Sequence, residues 1–206
     1  KPALAGSAVN GHAFSVGGIC LSAPGETVCG DTWAVRMNGS KARIMVADGL
    51  GHGPQAADAS QAAAQVFATA NGAPHAVLER AHALMRSTRG AAVAIVELDA
   101  TEDSLLFAGA GNIAGRILSG VNDRTLMSQH GTLGVQVRKL VDASYPWPDH
   151  AMVVLHSDGI TSRWNIDGAR GILAQDPTLI AGWLLRSGLR GRDDATVVVI
   201  KRAREQ

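Results

Sequence analysis

The sequence predicts a single α+β domain dominated by antiparallel sheet. Three observations point there. About eight or more short runs have β-favouring composition and end at Gly, Pro or Asn turns. Two helical patterns interrupt these runs mid-chain, and a third lies near the end. Connections between successive strands are short, which favours antiparallel pairing over crossovers.

The elements follow in order. Residues 12–22 carry Phe14, Val16 and Ile19, weakened by Gly17-Gly18, and Pro24-Gly25 ends the run. Residues 32–37 alternate apolar and polar side chains, Asn38-Gly39 follows, and residues 42–47 form a buried run. That pair reads as a hairpin whose loop runs on to Lys41. Asp48-Gly49-Leu50-Gly51-His52-Gly53-Pro54 stops the strand, and Pro54 suits the first turn of an Ala-rich helix over 55–70. Asn71-Gly72 ends it, and residues 74–87 form a second helix with Val77, Leu78, Ala81, Leu84 and Met85 on one face. Strands follow over 91–98, 105–109 and 114–118; residues 119–137 are turn-rich. Residues 139–145 and 152–156 are strands separated by Pro146-Trp147-Pro148-Asp149. A helix over 177–187, a last strand over 195–200 and a charged, frayed tail over 201–206 complete the chain.

Composition excludes several function classes. A chain of 206 residues buries roughly 70% of the surface its unfolded form exposes, so it needs no disulfide staples. Hydrophobic residues make up 46% and charged ones 18%, the composition of a globular protein rather than a disordered one. Nineteen basic against eighteen acidic residues leave +1, which gives no electrostatic case for nucleic acid or a membrane surface. The longest aliphatic runs, such as Val197-Val198-Val199-Ile200, fall far below the roughly 20 residues of a membrane helix. Cys20 and Cys29 stand nine apart, which suits reduced thiols in the cytoplasm better than a redox motif or zinc. No secretory signal is visible, and the chain starts Lys1-Pro2, consistent with a domain of something longer. Seven histidines include no His-x-x-x-His pair, so zinc is not indicated. Gly109-Ala110-Gly111-Asn112 is followed at once by β-like residues, so it reads as a strand turn rather than a dinucleotide loop.

The chemistry lies in acidic residues at strand ends: Gly30-Asp31, Asp48-Gly49, Asp158-Gly159 and Asp193-Asp194. Asp48 and Asp158 follow strands, while Asp31 and Asp193 precede them. In antiparallel neighbours the end of one strand and the start of the next share an edge, so the four can meet at one mouth. Any one pair, taken alone, is first of all a turn sequence. Gathered carboxylates repel one another and raise each other's pKa. A hard divalent cation such as Mg²⁺ or Mn²⁺ relieves that repulsion, and two of them can clamp a phosphate. Glycine after a ligand aspartate lets a backbone carbonyl approach a metal.

Gly30-Asp31-Thr32, Asp48-Gly49-Leu50-Gly51-His52-Gly53, Ser157-Asp158-Gly159-Ile160 and Arg192-Asp193-Asp194-Ala195-Thr196 resemble the metal-dependent phosphatases of the protein phosphatase 2C superfamily, in particular its bacterial SpoIIE-like branch. Thr88-Arg89-Gly90-Ala91, Gly111-Asn112-Ile113 and His130-Gly131-Thr132-Leu133-Gly134 look like the small RsbX-type stressosome phosphatases. The resemblance implies two packed antiparallel sheets flanked by helices, an α-β-β-α sandwich, in one phosphatase domain over residues 1–206. It implies that Asp48 bridges two Mn²⁺ or Mg²⁺ ions, with the Gly49 carbonyl on one and Asp158 and Asp193 on the other. Asp31 then acts in the site partly through waters, and Asp194 supports it. The catalytic set is therefore Asp31, Asp48, Asp158 and Asp193, with a metal-activated water attacking phosphoserine or phosphothreonine. The implied partner is a phosphorylated signalling protein of the anti-sigma antagonist or stressosome type, in the cytoplasm. Leu50 stands where animal members have a His, and His52 lies two residues on, suited to an acid, a helix cap or a loop brace. The span from Gly120 to Arg138 leaves little room for a substrate-contacting flap.

Two features have competing readings. Arg163, Arg190 and Arg192 flank the carboxylate motifs, where they can engage phosphate or a partner's acids, or stay solvated. Trp164 can pack in the core or form a rim for a partner, and His156 underlies the site. The rival to the enzyme is the same fold used as a non-catalytic module that sequesters a partner; the retained aspartates argue against it.

Overall fold

The computed structural model describes residues 13–164 and 167–203. The expected strand start at His12 and the end of the tail at 204–206 lie outside them. Twelve strands and three α-helices are present among the described residues. In chain order these are β1 (Phe14–Leu21), β2 (Asp31–Asn38), β3 (Lys41–Gly49), α1 (Pro54–Thr69), α2 (Pro74–Leu84), β4 (Ala91–Asp99) and β5 (Ser104–Ala110). Then come β6 (Ala114–Leu118), β7 (Arg124–Leu126), β8 (Gly131–Thr132), β9 (Gln136–Val137), β10 (Ala143–Pro146), β11 (Met152–His156), α3 (Pro177–Gly188) and β12 (Ala195–Arg202).

The strands form two five-stranded antiparallel sheets, ordered β1-β12-β11-β6-β7 and β10-β5-β4-β3-β2, and a small β8-β9 pair. Side-chain alternation along the strands builds the layers. Ile44 and Val46 of β3 face Val153, Leu155, Val198 and Ile200 of the other sheet in the central core. Met45 and Ala47, one step out of phase, face Ala59, Ala63 and Phe67 of α1. Val197 and Val199 of β12 meet Ile180 and Leu184 of α3 on the opposite side. The result is the expected α-β-β-α sandwich. All three helices begin on a proline, whose fixed φ suits the first turn and whose missing N–H costs nothing there.

The structure corrects several local expectations. Asn38 pairs with Lys41, so the hairpin turn is only Gly39-Ser40, with Gly39 at φ 57°. Residues 119–137 contain three short strands, β7, β8 and β9, too brief to leave a periodic pattern. The strand expected over 139–145 starts only at Ala143, because Leu140 is drawn into the core under the helices. Helix α2 stops at Leu84, which is exposed, while Met85 is buried against Gly134 of the β8-β9 segment. Lys201 and Arg202 are not frayed: β12 runs through them, and the Arg202 guanidinium lies 4.4 Å over the Trp147 ring.

Candidate metal-dependent hydrolase site

Hairpin register assembles half of the site. Asp31 opens β2 and Asp48 lies near the end of β3, and the two are direct cross-strand partners. Two acids opposite each other on adjacent strands destabilise a sheet unless something neutralises them. The second half comes from the other sheet. His156 ends β11 and pairs with Val197 of β12, so Asp158 just past β11 and Asp193 just before β12 leave the same edge.

A short relay stitches the halves together. The Ser157 hydroxyl donates to Asp31 Oδ2 at 2.6 Å, across 126 residues of sequence. The Thr196 N–H donates to Ser157 Oγ at 2.9 Å. The Asn112 amide donates to Asp158 Oδ2 at 2.6 Å and holds that carboxylate from a third direction. The glycines after the aspartates are required by packing. A Cβ on Gly49 would stand 2.0 Å from the Ala56 carbonyl oxygen of α1. One on Gly159 would stand 2.0 Å from the Asp194 carbonyl oxygen. Each Asp-Gly pair thus lets a helix or loop backbone close on the strand end.

Charge is concentrated here. Burial, and then the charges of Asp31, Asp158, Asp193 and Asp194, push the Asp48 carboxyl up to about 9. Burial also raises Asp31, to about 7, against the hydrogen bonds from Ser157 and Thr196. Asp31 Oδ1 and Asp194 Oδ2 are buried without a hydrogen-bond partner. Among the described residues, no three His, Cys, Asp or Glu side chains are already drawn together around one point. The donor set nonetheless fits a hard cation. It is all oxygen and contains unpaired buried acceptors, and two of its members, Asp31 and Asp48, hold their protons more tightly than an ordinary carboxyl.

The remaining expected residues divide. Asp194 is turned away from the mouth: its Oδ1 accepts from the Ala23 N–H at 2.9 Å and its Oδ2 lies beneath Gly30. His52 is a loop brace, with Nδ1 2.6 Å from Glu26 Oε1, while the N-cap of α1 is Gly53. His156 underlies the site: it is buried, and its Nδ1 donates to the Ser157 carbonyl at 2.8 Å. Its Nε2 accepts from Trp164 Nε1 at 3.2 Å. Burial first, then the charges of Arg116 and Arg190, lower its pKa and keep the ring neutral. Trp164 is core rather than rim, buried with Arg116 stacked 4.3 Å over its ring. Arg163 is exposed, whereas Arg190 and Arg192 line a cleft with Asp158, Gly159 and Asp193.

Sequence reasoning missed Ser157 and Asn112 as site residues. Each stood inside a quoted motif, Ser157-Asp158-Gly159 and Gly111-Asn112-Ile113. A polar residue adjoining a Gly-flanked strand end was the available signal.

Known proteins agree with this geometry. Residues 38–203 match the family described as Stage II sporulation protein E (SpoIIE). The phosphoserine phosphatase RsbX of Bacillus subtilis (strain 168) is 22% identical over 142 residues, 68% of this chain and 71% of RsbX. Among solved structures, one from work on the bacterial stressosome as a modular system controlling secondary messenger signalling is 27% identical, with a TM-score of 0.84 over 91% of this chain and 99% of its own. RsbX in complex with magnesium superposes with a TM-score of 0.81 at 21% identity, over 97% of this chain and all of its own, 100%. The catalytic domain of the phosphatase PstP with two manganese ions has the same fold, with a TM-score of 0.67 at 16% identity, over 93% of this chain and 99% of its own. The family match runs from the β2-β3 hairpin to the end of β12, and so this chain belongs to the SpoIIE family.

Proposed function

We propose that the chain is a Mn²⁺- or Mg²⁺-dependent serine/threonine protein phosphatase with two ions in its site. Its substrate is a phosphorylated partner-switching or stressosome protein of the anti-sigma antagonist type. The observation that carries the reading is the Ser157–Asp31 bond, which brings the aspartates of both sheets to one mouth. Similarity to RsbX and to a stressosome structure supports the substrate class.

Asp48, the Gly49 carbonyl, Asp158 and Asp193 would hold the ions. When bound, such ions supply Lewis acidity toward the phosphoryl oxygens and an activated water. The chain's own residues prepare the site. Ser157 occupies one oxygen of Asp31 and leaves the other free, and Asn112 fixes the rotamer of Asp158. The Ser157 hydroxyl is buried and committed as a donor, so it is not an attacking group. Leu50 is exposed and carries no titratable proton, so it cannot protonate the leaving alkoxide. The whole chain acts as one catalytic domain in the cytoplasm. No described helix is long and apolar enough to cross a membrane.

The test is hydrolysis of p-nitrophenyl phosphate with Mn²⁺, with EDTA and with Asp48→Asn, followed by a phosphorylated anti-sigma antagonist. Mn²⁺-dependent turnover lost in both controls supports the enzyme. Mn²⁺ binding without turnover on either substrate makes it a binding module.

A further inference from the structure

The loop from Leu189 to Asp194, between α3 and β12, contributes more than a metal ligand. It runs beside the Asp158 loop and is pinned to it along its length. The Arg190 N–H donates to the Gly159 carbonyl at 2.9 Å, and the Thr161 N–H to the Gly188 carbonyl at 2.8 Å. Ile160 and Leu189 form an isolated antiparallel bridge. Asp193 closes the loop by accepting from the Asp194 N–H at 2.9 Å. Gly191, at φ 66°, turns the chain between the two arginines, a conformation that L side chains rarely adopt. Arg190 and Arg192 therefore both border one cleft of about 380 Å³, whose other walls are Asp158, Gly159 and Asp193.

Both arginines are exposed, and neither forms an ion pair or hydrogen bond with a described carboxylate. That includes Asp158 and Asp193, which share the cleft with them. Arg43, Arg116 and Arg202, by contrast, are each tied to an acidic partner. Two guanidinium groups with free donor edges thus border the two aspartates read here as cation ligands. Once cations neutralise those aspartates, the cleft presents uncompensated positive charge. A phosphoryl dianion has the charge and the planar oxygen pairs that a guanidinium fork matches, two parallel bonds at a time.

We propose that Arg190 and Arg192 form the clamp that holds the phosphoryl group of the substrate, and of the product phosphate, against the Asp158 side of the site. The clamp rests on the phosphatase reading, but its binding step requires no turnover. It also suits the short Gly120–Arg138 span, because the phosphoryl contacts come from the loop before β12 and not from a flap.

The experiment is calorimetric titration of inorganic phosphate into the Mn²⁺-loaded full chain. It is run on the wild type, Arg190→Ala/Arg192→Ala, Arg190→Lys/Arg192→Lys, and the control Arg186→Ala on the exposed side of α3. Mn²⁺ binding and thermal melting are measured alongside. The clamp predicts phosphate affinity lowered roughly tenfold to a hundredfold in the double Ala variant, as for lost charge-assisted bonds. Mn²⁺ affinity and melting should stay unchanged, the Lys pair should recover part of the loss, and Arg186→Ala should match wild type. In p-nitrophenyl phosphate assays the same variant should raise KM and the phosphate inhibition constant together. Wild-type phosphate affinity in the double Ala variant overturns the clamp while leaving the phosphatase intact. Arginine-dependent phosphate binding without any turnover keeps the clamp and sinks the phosphatase. No phosphate binding by the loaded wild type overturns the clamp, and p-nitrophenyl phosphate turnover then decides the phosphatase separately. If the Ala pair does not fold, the Lys pair decides: affinity equal to wild type there, with affinity also retained in each single Ala variant, overturns the clamp.

Discussion

Asp48→Asn should stabilise the metal-free protein at neutral pH and abolish its response to Mn²⁺. Folding raises the Asp48 carboxyl from 3.8 to about 9, chiefly through burial. An acid shifted upward favours the native state only while it keeps its proton. Its contribution is complete below pH 3.8 and is lost as pH rises through about 9. At about pH 7.5 the shift amounts to roughly 5 kcal/mol against folding as a ceiling, at 1.36 kcal/mol per pH unit. Asp48 is partly exposed and shares its protons with neighbours, so about 2 kcal/mol is the working figure. Asparagine has nearly the same shape, needs no proton and removes one charge from the cluster. The variant in EDTA should therefore melt roughly 4–8 °C above wild type near pH 7.5. The gap should close toward pH 4, where both side chains are neutral. Saturating Mn²⁺ should reverse the order, because only the wild type gains about 2.7 kcal/mol at a hundredfold excess over Kd. Melting by circular dichroism across pH 4–9, with EDTA and with Mn²⁺, reads all of this. A variant less stable than wild type in EDTA at neutral pH, or a gap that does not shrink toward pH 4, would refute the reasoning.

Four further outcomes are expected. Ser157→Ala leaves the Thr196 N–H and Asp31 Oδ2 without their partner; urea unfolding should show a loss of about 1–3 kcal/mol, and Mn²⁺ affinity should weaken. Gly49→Ala forces a Cβ to within 2.0 Å of the α1 backbone; it should lower activity and reduce amide protection over α1 in hydrogen exchange. Asn112→Ala frees Asp158 and should cost roughly tenfold to a hundredfold in Mn²⁺ affinity by calorimetry, as for other partners of metal-ligating carboxylates, with little change in melting. His52→Ala removes only the brace to Glu26; catalytic rate at saturating Mn²⁺ should stay within about twofold of wild type, because surface pairs contribute little. A large loss of rate there would mean His52 handles a proton.

The elements with local signatures were legible in the sequence. Largely apolar runs in 42–47 and 195–200 marked strands buried on both faces, and Pro54, Pro74 and Pro177 marked helix starts. The Asp-Gly pairs at strand ends and the family motifs marked the carboxylates. Short strands were missed where two or three residues cannot show a period, as in β8 and β9. Leu84 and Met85 were grouped on one face, but the helix end and the β8-β9 segment bury only Met85.

The sequence by itself determined which residues could be ligands and where the longer strands and helices would lie, because turn chemistry and side-chain period are local properties. Only the tertiary structure decided which of them act together. Asp31 meets Ser157 because β2 and β11 lie in facing sheets, and sheet order depends on which faces find partners to bury. The same packing turned Asp194 inward to Ala23, spent His52 on Glu26, and left Arg190 and Arg192 unpaired beside Asp158. The orientation of a carboxylate or a guanidinium is set by what arrives from distant sequence, and no local pattern encodes it.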